Sequence, residues 1–240
     1  MLEGIKFQLY CQNLAKNTMY NFKKLKALTK EDLTGDVLQV ANRVGVAPVI
    51  VVRQLLQLDG LSKRDVKNVI DGTLPPPEYL KESLARALEN DPVFSPQGIQ
   101  ISKKRGTLGE DLIDAWLKPF SIEYTRDIGQ GGPDFLFKSP LTLNICGTAK
   151  EIHWIESKAS YGNAFQVKRN KAQFRKYNVL GTGLVFYWFG CEAQIEWDVF
   201  TWESLANRVD YPLNERIVRF ISYVPHEFRH LIYPNYNINI

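Results

Sequence analysis

Three short pieces of this sequence carry residues that can do chemistry together: Glu110, the dipeptide Pro133-Asp134, and the tripeptide Glu156-Ser157-Lys158. In an extended strand alternate side chains share a face, so Trp154, Glu156 and Lys158 point one way, and Ile155 and Ser157 the other. An acid and a lysine two residues apart, facing a second acid on a neighbouring strand, can hold a divalent cation and a water side by side. Hard carboxylate oxygens bind Mg²⁺, which neutralises a phosphate and lowers the pKa of an attacking water. The lysine ammonium can orient that water or stabilise charge on a phosphorane-like transition state. The chemistry this pattern points to is phosphodiester hydrolysis.

The spacing alone is weak. Acid-x-lysine occurs twice, as Asp65-Val66-Lys67 on a predicted helix and as Glu156-Ser157-Lys158. Read by themselves, Glu156 and Lys158 form a same-face ion pair on an edge strand, contributing at most about 1 kcal/mol. That reading leaves Glu110, the single Pro-Asp of the chain, the order of the pieces and the basic segment that follows without explanation. The conjunction favours the chemical reading.

The basic segment is the second feature. Net charge is only +4, but residues 157–191 hold Lys158, Lys168, Arg169, Lys171, Arg175 and Lys176 and no acid. Lys168, Lys171 and Arg175 fall at i, i+3 and i+7 of a helix predicted over 164–177, flanked by Arg169 and Lys176. Such a stripe contacts phosphates and gives salt-dependent, sequence-independent affinity for nucleic acid. Phe174 and Tyr177 are expected to pack on the sheet rather than stack on bases.

The elements that must position these groups read as α/β. A helix over Thr107–Leu117 carries Glu110, a short strand lies near 121–125, and the turn Gly129-Gln130-Gly131-Gly132 delivers Asp134. Strands follow at 134–137 and 151–159, then the basic helix, an apolar strand over 183–189, and a last strand and helix in 193–208. This order predicts a small mixed sheet flanked by helices. The first hundred residues read as helical: 2–29, 61–71, 78–90, and a pair around Gly45. Gly45 is a natural C-cap, and Pro48 suits the first turn of a following helix. The pair has two readings, a helix-turn-helix whose recognition-type helix is Pro48–Leu56, or an ordinary αα-hairpin. The loop-like run from Asn90 to Gly98 places the expected boundary between a helical domain, 1–98, and a catalytic domain, 99–240.

The series Glu110, Pro133-Asp134, Glu156-Ser157-Lys158 resembles the E, PD, (D/E)xK series of restriction-endonuclease-like nucleases, a group that includes archaeal Holliday-junction resolvases. More narrowly, Ile152-His153-Trp154-Ile155-Glu156-Ser157-Lys158-Ala159-Ser160-Tyr161-Gly162 resembles the TPD domain of the codanin-interacting nuclease family. Gly181-Thr182-Gly183-Leu184-Val185-Phe186-Tyr187-Trp188-Phe189-Gly190 is similar to that family's apolar strand. The likeness is strong over about 105–195 and weaker over the helical part. It implies a restriction-endonuclease-like fold and Mg²⁺- or Mn²⁺-dependent cleavage of DNA, branched or structured DNA included. Asp134 and Glu156 would bind the metal, Lys158 would position the water, and Glu110 would complete the site. Gln173 matches a glutamine of many such nucleases and would orient the water or the phosphate; its other reading is a solvated surface amide. The resemblance also implies a codanin-like protein partner and a nuclear home, with cytoplasm in addition; resolvases are usually two-fold homodimers because their substrates are nearly symmetric, but this sequence carries no dimer-specific signal. One departure is visible: the family's Thr-Pro-Asp reads Gly132-Pro133-Asp134 here. It removes a hydroxyl and keeps the carboxylate.

Other patterns are decoys. His226-Glu227-Phe228-Arg229-His230 fits HExxH, but no His, Asp or Glu follows it as a third ligand. The glycine run at 129–132 lacks the Lys-Ser/Thr of a P-loop. Cys11, Cys146 and Cys191 are far apart with no CxxC, so a reduced intracellular chain without zinc is expected. With 45% apolar and 23% charged residues the composition of these 240 residues excludes a disordered tail or a disulfide scaffold. Neither a signal peptide nor a membrane span is expected.

Overall fold

The computed structural model describes residues 3–127, 131–145, 147–206 and 208–233. The chain forms two units. One is Leu9–Lys103 with the segment beginning at Val224; the other is the start of the chain as far as Gln8 with Lys104–Tyr223.

The first unit is helical. Helix α1 (Glu3–Lys26) follows the amphipathic spacing of the first thirty residues. Asp36 caps α2 (Val37–Val44), its carboxylate accepting from the Leu38 and Gln39 amides, and Gly45 ends that helix at φ 79°. Pro48 opens α3 (Pro48–Leu58), and α4 (Lys63–Ile70) and α5 (Lys81–Glu89) follow. The helix read as recognition-type is the centre of the unit. Residues 48–52 and 54–56 are buried among α2, α4 and α5. Reading a DNA groove requires an open helix face, and α3 leaves only Arg53, Gln57 and Leu58 outside the core. The α2–α3 pair is therefore a buried αα-hairpin. Asp91, wholly buried, ties the start of α3 to the turn ahead of the next helix by accepting from the Val49, Val93 and Phe94 amides at 3.1, 3.0 and 2.7 Å.

Helix α6 (Pro96–Leu117) begins eleven residues before the predicted Thr107. Ser95 accepts from the Gly98 amide at 3.0 Å, and Pro96 takes the first helical position. Residue 98 thus lies in the first turn of a helix rather than in a loop.

The α/β unit contains a five-stranded sheet in the order β1 (Tyr124–Arg126), β2 (Phe135–Ile145), β3 (Thr148–Lys158), β4 (Gly183–Tyr187) and β5 (Asp198–Phe200). The first three are antiparallel; β3, β4 and β5 run parallel. Helix α7 (Ala164–Tyr177) makes the crossover from β3 to β4 over the predicted residues, and α8 (Trp202–Ala206) and α9 (Tyr211–Ser222) follow β5. The β2–β3 hairpin is longer than predicted. Its register shifts between Leu136, opposite Trp154, and Leu141, opposite Ile152. Pro140, which has no amide to donate, sits inside that irregularity.

Both sheet faces are covered. Ile113, Trp116 and Leu117 of α6 with Ile217 and Ile221 of α9 pack on Phe135, Ile155, Leu184 and Phe186. On the other face Phe174 and Tyr177 of α7 pack on Trp154, Val185 and Tyr187. This second face carries Glu156 and Lys158. Among the described residues no helix is long and apolar enough to cross a membrane.

Candidate active site

Strand pairing brings two of the predicted acids together. Asp134 stands immediately before β2, and Phe135 lies opposite Ile155 in β3. The Asp134 amide donates to Glu156 Oε2 at 3.3 Å, and the Ser157 amide donates to Asp134 Oδ2 at 2.6 Å. Each carboxylate is thus tied to the backbone of the other's strand. Glu156 is 1% exposed. Lys158, on the same face two residues on, forms an ion pair with Glu156 Oε1.

Helix α7 closes the cluster from above the sheet. Gln173 Nε2 donates to Glu156 Oε1 at 3.0 Å, and Gln173 Oε1 accepts from Lys158 Nζ at 3.3 Å. Its side chain is therefore inside the cluster and is not a solvated surface amide. One turn on, Tyr177 Oη lies 2.9 Å from Gln173 Nε2 and donates to the Gly132 carbonyl at 2.7 Å. Phe174 is wholly buried and lies under the ammonium of Lys158, 5.7 Å from Nζ to ring centroid.

The electrostatics follow from burial. Loss of solvent, and then the charge of Glu156, push the Asp134 carboxyl up to about 7; the Ser157 amide and Lys158 only partly oppose this. Burial also raises Glu156, against the pull of Lys158. Two closely set carboxylates, one buried and one half-buried, that resist ionising together are a donor set suited to a hard divalent cation, which would supply the missing positive charge.

Glu110 is placed differently. Helix α6 meets the sheet at Gly109, where a Cβ would stand 2.7 Å from Trp188 Nε1 and 3.2 Å from Ser157 Oγ. Those two atoms bond each other at 2.9 Å. Glycine there lets α6 approach just behind the Glu156–Lys158 segment. Glu110 itself accepts from Arg126 at 3.0 Å, and Arg126 also holds Asp111 at 2.9 Å. The charge of Glu110 still raises both Asp134 and Glu156. Among the described residues no group of three or more His, Cys, Asp and Glu side chains is placed to hold a metal. The cation donors on offer are the Asp134–Glu156 pair, with Glu110 acting at longer range.

The arm that presents Asp134 is clasped by Asp127, whose Oδ2 accepts from the Gly131 and Gly132 amides at 3.0 and 2.9 Å. The Gly129-Gln130 part of the predicted turn lies outside the described residues, as does Cys146. Cys191 donates to the Gly162 carbonyl at 3.3 Å, and burial raises its thiol, which makes it a poor nucleophile. His226–Leu231 forms a 3₁₀ helix. At three residues per turn, His226 and His230 do not share the face that HExxH chemistry needs.

The basic helix is partly neutralised. Glu196, from the loop after β4, pairs with Lys171 at 2.5 Å and Arg175 at 3.3 Å. Lys168, Arg169 and Lys176 are exposed and make no ion pair among the described residues. Arg169 and Lys176 lie at i−4 and i+3 from Gln173, on the side of α7 that faces the cluster. Of the five basic residues read as a phosphate-binding surface, Lys171 and Arg175 thus share the Glu196 carboxylate, while Lys168, Arg169 and Lys176 are not ion-paired among the described residues. Arg126, Tyr177 and Glu196 were not among the predicted site residues. Their places depend on sheet pairing and on contacts between elements far apart in the sequence.

Comparison with known proteins defines the class first. The family described as "Protein of unknown function TPD sequence-motif" matches residues 76–202, more than half of the chain, and the chain belongs to it. The match contains Glu110, Asp134, Glu156, Lys158 and Gln173. The chain is similar to particular proteins called CDAN1-interacting nuclease 1. It is 26% identical to that of Danio rerio over 177 residues, 67% of this chain and 57% of the relative. For Xenopus laevis the figures are 28% over 188 residues, 72% and 61%, and for Mus musculus 28% over 187 residues, 71% and 65%. The match thus spans about three fifths of the length of these relatives. No solved structure gives a significant match.

Proposed function

We propose that this chain is a divalent-metal-dependent nuclease of the PD-(D/E)xK, restriction-endonuclease-like class that hydrolyses phosphodiester bonds in DNA. One observation carries the reading: half-buried Asp134 and buried Glu156 are held together at a strand pairing, with Lys158 and Gln173 bonded to Glu156. Setting two acids this close together and partly out of water costs folding free energy, and groups perturbed in this way cluster at functional sites. The names of the similar proteins support a nuclease-related role.

Asp134 and Glu156 would hold Mg²⁺ or Mn²⁺. The ion, when bound, neutralises phosphate charge and acidifies water. Lys158 leaves Glu156 for the attacking water or the phosphoryl oxygens, where its charge is stabilising as the transition state gains negative charge. Gln173 fixes the rotamers of Glu156 and Lys158 and offers its amide to the water or the scissile phosphate. Tyr177 pins the Gly132 carbonyl and so holds the Asp134 arm against α7. Glu110, balanced by Arg126, adds negative potential that favours a cation between the pair. Lys168, Arg169 and Lys176 receive the flanking phosphates.

A second reading is a nuclease-fold module without turnover that works through DNA or a codanin-like protein. The names of the relatives support the protein partner, since they describe an interaction with CDAN1. Calorimetric titration with Mn²⁺ separates the two. Heat that disappears in Glu156→Gln supports the nuclease, whereas a wild type that binds no Mn²⁺ overturns it in favour of the module. The nuclear location and the homodimer implied by the resemblance belong to the same proposal; gel filtration with light scattering tests the dimer.

A further inference from the structure

Helix α1 carries a second charged surface, within the helical unit. From Gly4 to Lys30 the chain holds six lysines and no acid. Three of them are occupied locally. Lys6 pairs with Glu3 at 3.1 Å, Lys26 donates to Gln57 Oε1 at 3.0 Å, and Lys30 pairs with Asp59. Lys16, Lys23 and Lys24 make no ion pair or hydrogen bond among the described residues.

These three are presented together. Lys16 and Lys23 are seven residues apart, two helical turns or about 10 Å along one face. Lys24 adjoins them, and Met19 and Tyr20 lie between them, 54% and 64% exposed. The remainder of α1 is anchored. Thr18 Oγ1 accepts from the Ala47 amide at 2.8 Å, Asn21 Nδ2 donates to the Gly45 carbonyl at 3.0 Å, and Leu25 is wholly buried. The helix is therefore fixed to the α2–α3 turn by one side and presents the basic side outward. The surface has ammonium groups at fixed spacing, no acid on the adjoining turns of its helix to neutralise them, and an exposed aromatic ring between them. Its chemical complement is a regularly charged polyanion with stackable groups.

We infer that the Lys16–Lys23–Lys24 face of α1 is a second contact surface for the nucleic-acid backbone, separate from the cleavage site. This rests on the nuclease reading of the Asp134–Glu156 cluster, which supplies the reason for a polyanionic ligand. The lysines bind phosphates, and Tyr20 offers its ring or hydroxyl beside them. The contact is independent of sequence and adds affinity through counterion release.

The test is fluorescence anisotropy of end-labelled single-stranded and duplex DNA on the full chain in EDTA, with salt varied. Wild type is compared with the triple variants Lys16→Gln/Lys23→Gln/Lys24→Gln and Lys16→Glu/Lys23→Glu/Lys24→Glu. Lys23 and Lys24 are exposed and Lys16 is half-exposed, and circular dichroism melts check that the variants fold. The glutamine variant is expected to bind at least about tenfold more weakly and the glutamate variant more weakly still. The log–log salt slope should become shallower by about 2–3. Unchanged affinity and slope, a wild type that binds neither probe, or displacement of DNA by poly-glutamate at equal charge would overturn the inference. Cleavage with Mn²⁺ is scored separately. A chain that binds through α1 but cuts nothing overturns the nuclease reading alone, and one that cuts DNA with affinity unchanged in both variants overturns the α1 surface alone.

Discussion

Asp134 and Glu156 exchange contacts across the β2–β3 pairing: the Asp134 amide donates to Glu156 Oε2 at 3.3 Å, while the backbone one residue beyond Glu156 donates to Asp134 Oδ2 at 2.6 Å. The sheet register therefore fixes both the closeness of the two carboxylates and their orientation. Their mutual repulsion is a property of the fold and does not depend on a flexible loop.

That repulsion has a pH signature. The Asp134 carboxyl is raised to about 7 by burial and by Glu156, whereas in the unfolded chain it titrates near 4. The native state therefore holds the proton more tightly, and the stabilisation this gives is present in full below about pH 4 and lost as pH rises through about 7. Asp134→Asn removes the ionisation and keeps an acceptor for the Ser157 amide. In metal-free urea melts at pH 8 this variant is expected to exceed wild type by on the order of 1–3 kcal/mol, with the gap closing toward pH 4. A variant less stable than wild type at pH 8 would contradict the repulsion.

Tyr177 should matter through its hydroxyl. Tyr177→Phe keeps the edge-on ring contact with Trp154, 5.2 Å between centroids, and loses the bonds to Gly132 and Gln173. The expected cost in stability is about 1 kcal/mol, with a larger proportional loss in kcat than in substrate affinity. Gln173→Ala should show the same split, and equal effects on kcat and affinity would contradict a positioning role for either residue.

Two glycines should respond in opposite ways. A Cβ on Gly132 meets nothing nearer than Asp127 Oδ2 at 3.8 Å, so Gly132→Thr, which restores the family residue, should fold and melt within about 0.5 kcal/mol of wild type. Gly109→Ala would normally favour a helix, but its Cβ would meet the indole of Trp188 at 2.7 Å, and Trp188 is wholly buried. Thermal melts should show a loss of about 1–3 kcal/mol.

Charge reversal on α7 should separate the free cations from the paired ones. Arg169→Glu/Lys176→Glu is expected to weaken DNA binding and flatten its salt dependence. Lys171→Glu/Arg175→Glu should do less, because Glu196 already offsets one of their two charges. Equal losses would contradict that offset.

Much of the α/β unit was legible in the sequence. The basic helix and the apolar strand after it were recognisable because their patterns are uninterrupted, and Glu156 and Lys158 share a face because a strand alternates. The β2–β3 hairpin was only half read. Leu141, Leu143 and Ile145 alternate as a strand should, but Lys138-Ser139-Pro140 ahead of them reads as an end to the strand. The start of α6 was marked by Ser95-Pro96, a capping pair within an otherwise loop-like run. Helix α9 carried a similar signal in Asp210, whose side chain accepts from the Leu213 amide, with Pro212 in the first turn. The pairing of Arg126 with Glu110 and Asp111, and of Glu196 with α7, had no local signal. Long-range folding creates those contacts, and they decide which charges remain free. The recognition-type reading of α3 failed for a related reason: a capped helix pair looks the same in sequence whether its second helix faces solvent or fills a core.

The most direct measurement is cleavage of labelled branched, single-stranded and duplex DNA by the purified chain in Mg²⁺ or Mn²⁺, alongside Asp134→Ala and Lys158→Ala variants shown to be folded. Wild type should cut at least one substrate, EDTA should stop it, and each variant should lose on the order of 100-fold or more in rate. A wild type that cuts none of them, or variants that cut as fast as wild type, would contradict a phosphodiester-hydrolysing role for the Asp134–Glu156–Lys158 cluster.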